Sequence, residues 1–540
     1  RGEAALLPIS ERRRLLATVQ EVRNVLAGLA LQGANGRETA LTARLNLQGL
    51  LEELERRQSA LLERNPSNRQ NLVALNSLTN TLARMELSDG ERQRMQAQRD
   101  ALERDLFNQL EAGAGAHHDV VSKQSIAAAL PRDGVLVEFL RFDPVRFQQG
   151  ALQTSGEGRY AALVLQPDGS VSAVDLGAAT EINHAIWQAL IQTQRIDPEA
   201  DQAWAKVSEL IIQPLLPEIG SRRQWYVSAD GELHRVPFAA LGSMAAGVLK
   251  PYSDSHHLRL LTSARDLLAD NTKQTQHSKA LVLADPDFDA RLNGSATRPA
   301  VRTVSTENTQ RGSDPTDQWR ALRWSRLPGS RVEGAAIGTL TSGQLLTDST
   351  ARASALYSVK SPQFLHIASH GAFLPRPQQA SSDKAESNRL QALEGKQSST
   401  SDPMLRGVVL LAGANRLAQA QQDDGLMTAL EFSKLNLQGT ELVTLSACDT
   451  GVGAVEIGDG IYGLRRGLAV AGARSSLLSL WKVSDQATAV FMETFYQQLE
   501  KGLSPEAALR DAQNRLRQND KKDWRHPYYW AAFQLYGRSW

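Results

Sequence analysis

Short apolar runs, separated by stretches with helical spacing, constrain this chain more than any other feature of its sequence. Val135 to Leu140, Gln224 to Ser228, Ala280 to Ala284, Phe364 to Ala368, Val408 to Leu411, Glu441 to Ser446 and Ser475 to Trp481 read as strands. Several are apolar throughout rather than alternating, and a strand of that kind needs cover on both faces. Between most of them apolar residues recur at helical steps, as at Ile186, Trp187, Leu190 and Ile191, and again at Ile211, Ile212, Leu215 and Leu216. Strand alternating with helix predicts the α/β class, a mostly parallel sheet flanked by helices. Tyr160 to Leu165 and Val171 to Leu176 add a hairpin that turns at Pro167-Asp168-Gly169.

At 540 residues the chain exceeds what one hydrophobic core usually organises, so several domains are expected. Residues 1–112 read as helices alone. Ser10 can cap a helix whose apolar face runs Leu15, Leu16, Val19, Val22, Leu26 and Leu29. A second stripe carries Leu47, Leu50, Leu51, Leu54, Leu61 and Leu62 up to Pro66, and a third carries Leu72, Leu75, Leu78, Leu82 and Met85. Ser88-Asp89-Gly90-Glu91 forms a capping box for a fourth, with Met95, Leu102, Leu106 and Leu110. Aliphatic stripes with no Trp and a single Phe, Phe107, suit helical hairpins or the end of a repeat array, although no repeat period is legible. Glu111 to Ala116 reads as a linker. Three parts are therefore expected: a helical region at 1–112, a first α/β part at 113–270 and a second at 271–540. Polar insertions at 291–320 and 376–403 interrupt the last of these, and the second of them lies just beyond His370.

Bulk chemistry excludes several classes of function. Sixty Lys and Arg against 59 Asp and Glu give a net charge of +1, with no general attraction for nucleic acid. No run approaches the roughly 18 apolar residues of a membrane span, and the first residues do not form a signal peptide. A single cysteine, Cys448, excludes internal disulfides and cysteine-rich zinc sites. His117-His118 and His256-His257 have no partners at ligand spacing, so neither a metal nor another cofactor is expected. These features point to a soluble protein of a reducing compartment, the cytoplasm. A start at Arg1 rather than Met points to a piece of a longer chain.

The one cysteine also carries the chemistry. Cys448 closes the run Leu442 to Ala447 and opens Asp449-Thr450-Gly451-Val452-Gly453, while Phe364 to Ala368 ends in Ser369-His370-Gly371-Ala372-Phe373. In a parallel sheet such strand ends gather along one rim. A lone cysteine is most often an inert buried hydrophobe. Cys448, however, ends its run instead of lying within it, and the glycines after it let a substrate backbone approach. A thiol of pKa about 8.5 is little ionised near neutral pH, and a neighbouring imidazole can take its proton. The backbone amides of Gly371 and Cys448 are the candidate donors to a tetrahedral oxyanion. His366 is the rival base; four residues back on the same strand face, it is expected to be packed or hydrogen-bonded beneath the site.

Ile367-Ala368-Ser369-His370-Gly371-Ala372-Phe373 followed by Leu445-Ser446-Ala447-Cys448-Asp449-Thr450-Gly451 resembles the CHAT domain, a caspase-like family of clan CD cysteine peptidases. Leu281 to Phe288, Leu327 to Glu333, Gly458 to Leu464, Ala471 to Ser475, Ser479 to Asp485 and His526 to Phe533 continue the likeness in order, over roughly residues 130–540. The resemblance implies a caspase-hemoglobinase sheet, with 113–270 as a pseudo-caspase-like half and 271–540 as the catalytic CHAT domain. It implies His370 as general base or acid and Cys448 as the nucleophile of an endopeptidase that cuts a protein substrate. Members often occur in bacterial regulatory or defence systems, where a partner bound to tetratricopeptide repeats releases the protease. The helical block at 1–112 resembles the region joining such domains to an upstream array. The 376–403 insertion departs from the family in length and polarity, and is expected to be a regulatory lid or an internal cleavage site.

In caspase-like enzymes the strand after the cysteine unit lines the pocket for the residue before the cut, and here that strand is Leu477 to Val483. Asp485 at its end is a candidate to receive Arg or Lys, but it is expected first as a cap for the helix that follows, and the two roles need not exclude each other. Trp481 either walls a neighbouring subsite or packs, and Asp449 either meets substrate or braces its loop. Two functions stay open at this point: a partner-regulated endopeptidase, and a non-catalytic interaction scaffold with the same fold.

Overall fold

A computed structural model describes residues 22–48, 89–111, 120–148, 151–154, 156–268, 277–291, 323–373, 407–419, 425–447, 457–519 and 522–538, with isolated positions at 71–78 and at 404. The helical stripes before residue 22 and from Leu50 to Leu62, the cap at Ser88, the linker beyond Glu111, both polar insertions, Cys448 and Asp449 lie outside the described residues.

Among the described residues, eleven strands form one sheet. From one edge the order is Gln344–Asp348, Leu281–Pro286, Phe364–Ala368, Leu442–Ser446, Ser475–Ser479 and Phe533–Gly537. It continues through His257–Leu260, Gln224–Ser228, Gly134–Phe142 and Arg159–Leu165 to Val171–Ala178. Seven of the ten pairings are parallel, as the continuously apolar runs require. Ser475–Ser479 and Phe533–Gly537 pair antiparallel, so the two halves of the sheet point their strand ends to opposite rims.

Strand Gly134–Phe142 shows why such runs lack alternation. Val135, Val137 and Phe139 join the main core, which also holds Trp204, Trp225, Trp481 and Trp530. Leu136 and Leu140 point the other way, into a second cluster made with Ala40, Leu41 and Leu45 of the helix Ala34–Leu47. The amino-terminal helices therefore cover one face of the sheet's first half. Helices Pro328–Leu340, Asp485–Glu500 and Pro505–Arg517 form a contiguous layer on the second half.

Three expectations change in detail. The apolar run at Val408 to Leu411 becomes Gly407–Leu410, which pairs antiparallel with Gly371–Phe373 and Leu426–Thr428 in a separate small sheet. Four apolar residues carry no mark of which sheet they will join. The helix expected through Leu216 ends at Ile211 and continues as short turns, because Pro214 and Pro217 cannot extend it. The strand expected to reach Trp481 stops at Ser479, where the Ser479 hydroxyl donates to the Trp481 carbonyl at 2.6 Å.

Candidate active site

The histidine strand Phe364–Ala368 and the cysteine strand Leu442–Ser446 are parallel neighbours, with Ala368 paired to Ser446. His370 and Cys448 each stand two residues beyond that last rung. Ser369 extends the ladder by donating its N–H to the Ser446 carbonyl at 3.2 Å. Gly371 then lies against Ala447, the residue before the cysteine. A Cβ built on Gly371 would come within 3.0 Å of the Ala447 carbonyl carbon and closer still to its oxygen. Only glycine fits there without moving the chain that leads into Cys448.

His370 is buried, 4% exposed, and its position is determined from several directions. Its carbonyl accepts from Leu410 N–H at 2.9 Å. Its Nε2 lies 2.9 Å from the Ser325 carbonyl oxygen. A carbonyl only accepts, so Nε2 carries the hydrogen and Nδ1 is the basic nitrogen of the neutral ring. Phe288 and Trp324 hold the ring between them, each with its centroid 5.3 Å away. Asn415 ties those two aromatics together: its N–H donates to Phe288 O at 2.9 Å, its Oδ1 accepts from Trp324 N–H at 2.8 Å, and its Nδ2 donates to Trp324 O at 3.0 Å.

On the other side of Ser325, Arg326 forks onto Asp285 at 2.9 and 2.6 Å and reaches Asp348 at 2.7 Å. Arg331 bridges the same two carboxylates at 2.9 and 2.6 Å. Asp285, the last residue but one of its strand, and Asp348, the last of the neighbouring strand, both carry positive φ, 44° and 53°. Burial alone would raise the Asp285 carboxyl, but hydrogen bonds from Arg326 and Arg331 outweigh it and hold it below its ordinary range. Asp348 is pulled down to about 2, first by Arg331 and then by Arg326. Carboxylates with depressed folded pKa values contribute above their ordinary value of 3.8 and lose that contribution as pH falls towards about 2. The clamp on Ser325 is thus intact across the range in which a histidine titrates. Asp285→Asn removes the fork's charge and is expected to slow modification of Cys448 by about ten-fold, while leaving the shape of its pH profile above pH about 5 unchanged. An unaltered rate would show that Ser325 holds its place without the clamp.

His366 lies beneath, as expected, and is fully buried. Its Nε2 lies 3.0 Å from Glu333 Oε1, and its Nδ1 lies 3.3 Å from the hydroxyl of Tyr496, which in turn meets Thr444 at 2.9 Å. Burial pushes the Tyr496 phenol well above its ordinary pKa, so it stays neutral. His366 is thereby engaged at both nitrogens as a structural group.

A solvent-open cleft of about 480 Å³ joins these parts, lined by His370, Ala447, Trp481, Asp485, Ser330 and Glu333 among others. Asp485 is exposed in it, and its carboxylate has no hydrogen bond or ion pair among the described residues. Gly329 makes room for it: a Cβ there would stand 2.6 Å from Asp485 Cβ and 2.9 Å from Oδ2. The expected capping role is not what is found. Ser484 occupies the cap position of Asp485–Glu500 and Asp485 is its first helical residue, where a negative charge suits the helix dipole. Trp481 is fully buried, its indole N–H donating to Tyr528 O at 3.0 Å, so it serves as packing that also forms a wall of the cleft. The Ser325 carbonyl, the aromatic pair and the arginine–aspartate clamp were not found by sequence reasoning. A main-chain carbonyl has no side-chain signature.

The sequence model of the CHAT domain matches residues 201–538. The chain belongs to the CHAT family. Among curated relatives, tetratricopeptide repeat protein 28 of Mus musculus is 27% identical over 338 residues, which is 59% of this chain and 12% of that protein. Its Homo sapiens counterpart is 27% identical over 340 residues, with the same shares. The CHAT chain thus covers a small part of the length of the curated relatives it matches. Among solved structures, the Saccharomyces cerevisiae separase–securin complex aligns with a TM-score of 0.44 at 10% identity, covering 94% of this chain and 34% of that one. The Arg-specific cysteine proteinase gingipain R aligns with a TM-score of 0.30 at 10% identity, covering 63% and 67%.

Among the described residues no group of three or more potential ligands is placed to hold a metal ion, and no helix is long and apolar enough to cross a membrane.

Proposed function

We propose that this CHAT domain is a cysteine endopeptidase that cuts a protein substrate through a His370/Cys448 dyad. The observation that carries the reading is the in-register pair of strands, with His370 held as the Nε2–H tautomer two residues past one strand and Cys448 two residues past the other. In this reading Nδ1 of His370 takes the thiol proton, the Cys448 sulfur attacks the scissile carbonyl, and the oxyanion is met by the amides of Gly371 and Cys448. The imidazolium then protonates the departing amine, and water releases the acyl group from sulfur by the same route in reverse. Asp485 receives an Arg or Lys side chain before the cut, with Trp481 as wall and Asp449 beside the nucleophile. Residues 113–270 and 271–540 act as the supporting and catalytic halves, and a protein partner acts on the helical region at 1–112.

The test is labelling of native protein with acyloxymethyl ketone peptides bearing Arg, Leu, Met or Asp, with adducts mapped by mass spectrometry. Labelling of Cys448 should fall by about 10²–10⁴-fold in His370→Ala and vanish in Cys448→Ala. Preference for the Arg probe should fall about ten- to hundred-fold in Asp485→Asn, the range for a hydrogen bond to a charged group. A Cys448 that reacts only after unfolding would refute the dyad and leave an interaction scaffold. A Cys448 open to small alkylating agents but closed to every peptide probe would place the missing element in the partner.

A further inference from the structure

The cleft that holds Asp485 contains a second carboxylate, to which the peptidase reading gives no part. Glu333 lines the same space and is 4% exposed. Helical spacing relates the two acids. Gly329 lies against Asp485, and Glu333 is four residues further along the helix Pro328–Leu340, on the same face and about 6 Å along its axis. Asp485 is exposed and Glu333 buried, so the cleft carries one carboxylate at its mouth and one in its depth.

Glu333 is held in place without a countercharge. A carboxylate only accepts, so His366 Nε2 donates to its Oε1 at 3.0 Å. His366 Nδ1 is left to accept from the Tyr496 hydroxyl at 3.3 Å, and the Tyr496 oxygen accepts from Thr444 at 2.9 Å. This pattern is complete with a neutral imidazole, which gives Glu333 a hydrogen but no charge. The carboxylate has no other hydrogen bond or ion pair among the described residues. Lys482, the one lysine or arginine on the described lining, is exposed and pairs with neither Glu333 nor Asp485. A carboxylate this deeply buried with a single neutral donor is costly unless a cation joins it. An ammonium is a point charge that one carboxylate can satisfy, whereas a planar guanidinium has five donors and can bridge two. The chain itself contains such a bridge: Arg326 spans Asp285 and Asp348 at 2.6 and 2.7 Å.

We propose that Glu333 is a specificity-determining residue, and that the cleft selects arginine over lysine before the cut because the guanidinium bridges Asp485 and Glu333. This role of Glu333 rests on the peptidase reading, which supplies the substrate.

Binding is measured by calorimetry on the full chain carrying Cys448→Ala, so that no chemical step is needed. The probes are peptide amides ending in Arg, in Lys or in citrulline, the neutral isostere of Arg. The Arg peptide should bind about ten-fold more tightly than the Lys peptide and about a hundred-fold more tightly than the citrulline peptide. Adding Glu333→Gln should weaken the Arg peptide about ten-fold and leave the Lys peptide nearly unchanged, so that the preference disappears. A purely structural role for Glu333 would weaken both alike. Equal binding of the Arg and Lys peptides before Glu333 is changed overturns the proposal, whether or not the Glu333→Gln chain folds. So does a preference for Arg that survives Glu333→Gln, or the absence of saturable binding by any peptide into the millimolar range. The peptidase reading fails separately: Arg binding that needs Glu333, in a chain whose native Cys448 no probe labels, would keep the arginine site and remove the catalysis.

Discussion

Replacing Arg44 by methionine is expected to cost the fold about 3–5 kcal/mol at neutral pH, the largest effect on stability of any single change considered. The side chain is 1% exposed, and its Nε bonds Glu138 Oε2 at 2.9 Å. Its Nη1 bonds Asp230 Oδ2 at 3.0 Å and its Nη2 the Ala229 carbonyl at 3.2 Å. Glu138 is fully buried inside the strand Gly134–Phe142, so without Arg44 its charge would stand in the core unopposed. Burial pushes the Glu138 carboxyl up, and Arg44 is the largest influence against that rise, so removing Arg44 raises it further. A carboxyl raised above its unfolded value of 4.5 contributes fully below that value, and its contribution is lost as pH rises through the folded pKa. The deficit of Arg44→Met should therefore shrink between about pH 7 and about pH 5, and Glu138→Gln added to it should recover part of the loss. Urea unfolding at the two pH values checks this. Equal stability of variant and wild type at both would mean that the pair does not hold the helix to the sheet.

That contact also bears on how a partner could act. The helix Ala34–Leu47 is fastened by an ion pair that cannot be separated in the core without leaving a charge behind. A regulator working through the amino-terminal region is therefore expected to move this helix together with the first half of the sheet, rather than peel it away.

The same helix marks where sequence reading stops. Its buried face is Ala40, Leu41, Arg44 and Leu45, and the apolar stripes read from the sequence pass from Leu29 to Leu47 without it. A helix whose central buried residue is an arginine has no apolar stripe to detect, and the residues that make Arg44 tolerable lie 94 and 186 positions away. By contrast, Phe364–Ala368 and Leu442–Ser446 were legible because they are apolar on both faces and break abruptly into Ser369-His370-Gly371 and Ala447-Cys448. His366 was legible as a residue beneath the site from strand spacing alone, but its partners Glu333 and Tyr496 come from two helices that only the fold brings together. Local pattern finds the strand ends that carry the candidate residues. It does not find the groups that orient them.

Gly371→Ala carries the second large expected effect, and it separates placement from stability. The added methyl group meets main-chain atoms of Ala447 rather than the tip of a flexible side chain, so the backbone itself must give way. Forcing an extra methyl group into packed surroundings costs about 1–3 kcal/mol. The larger consequence falls on Cys448, the next residue along. A displacement on the order of 1 Å at a reacting group can cost about 10²-fold in rate, so modification of Cys448 by the preferred peptide probe should fall by that much in protein that is still folded. Gly338→Ala is the matched control. It lies in the helix Pro328–Leu340, its Cβ would meet nothing closer than Leu345 Cβ at 3.6 Å, and it should leave the rate unchanged. In helical geometry that same change should add about 0.5–1 kcal/mol of stability. Labelling rates and urea midpoints measured on both variants give the answer. If Gly371→Ala labels as fast as wild type, the approach of Gly371 to Ala447 does not set the position of Cys448, and the glycine after His370 is there for the turn alone.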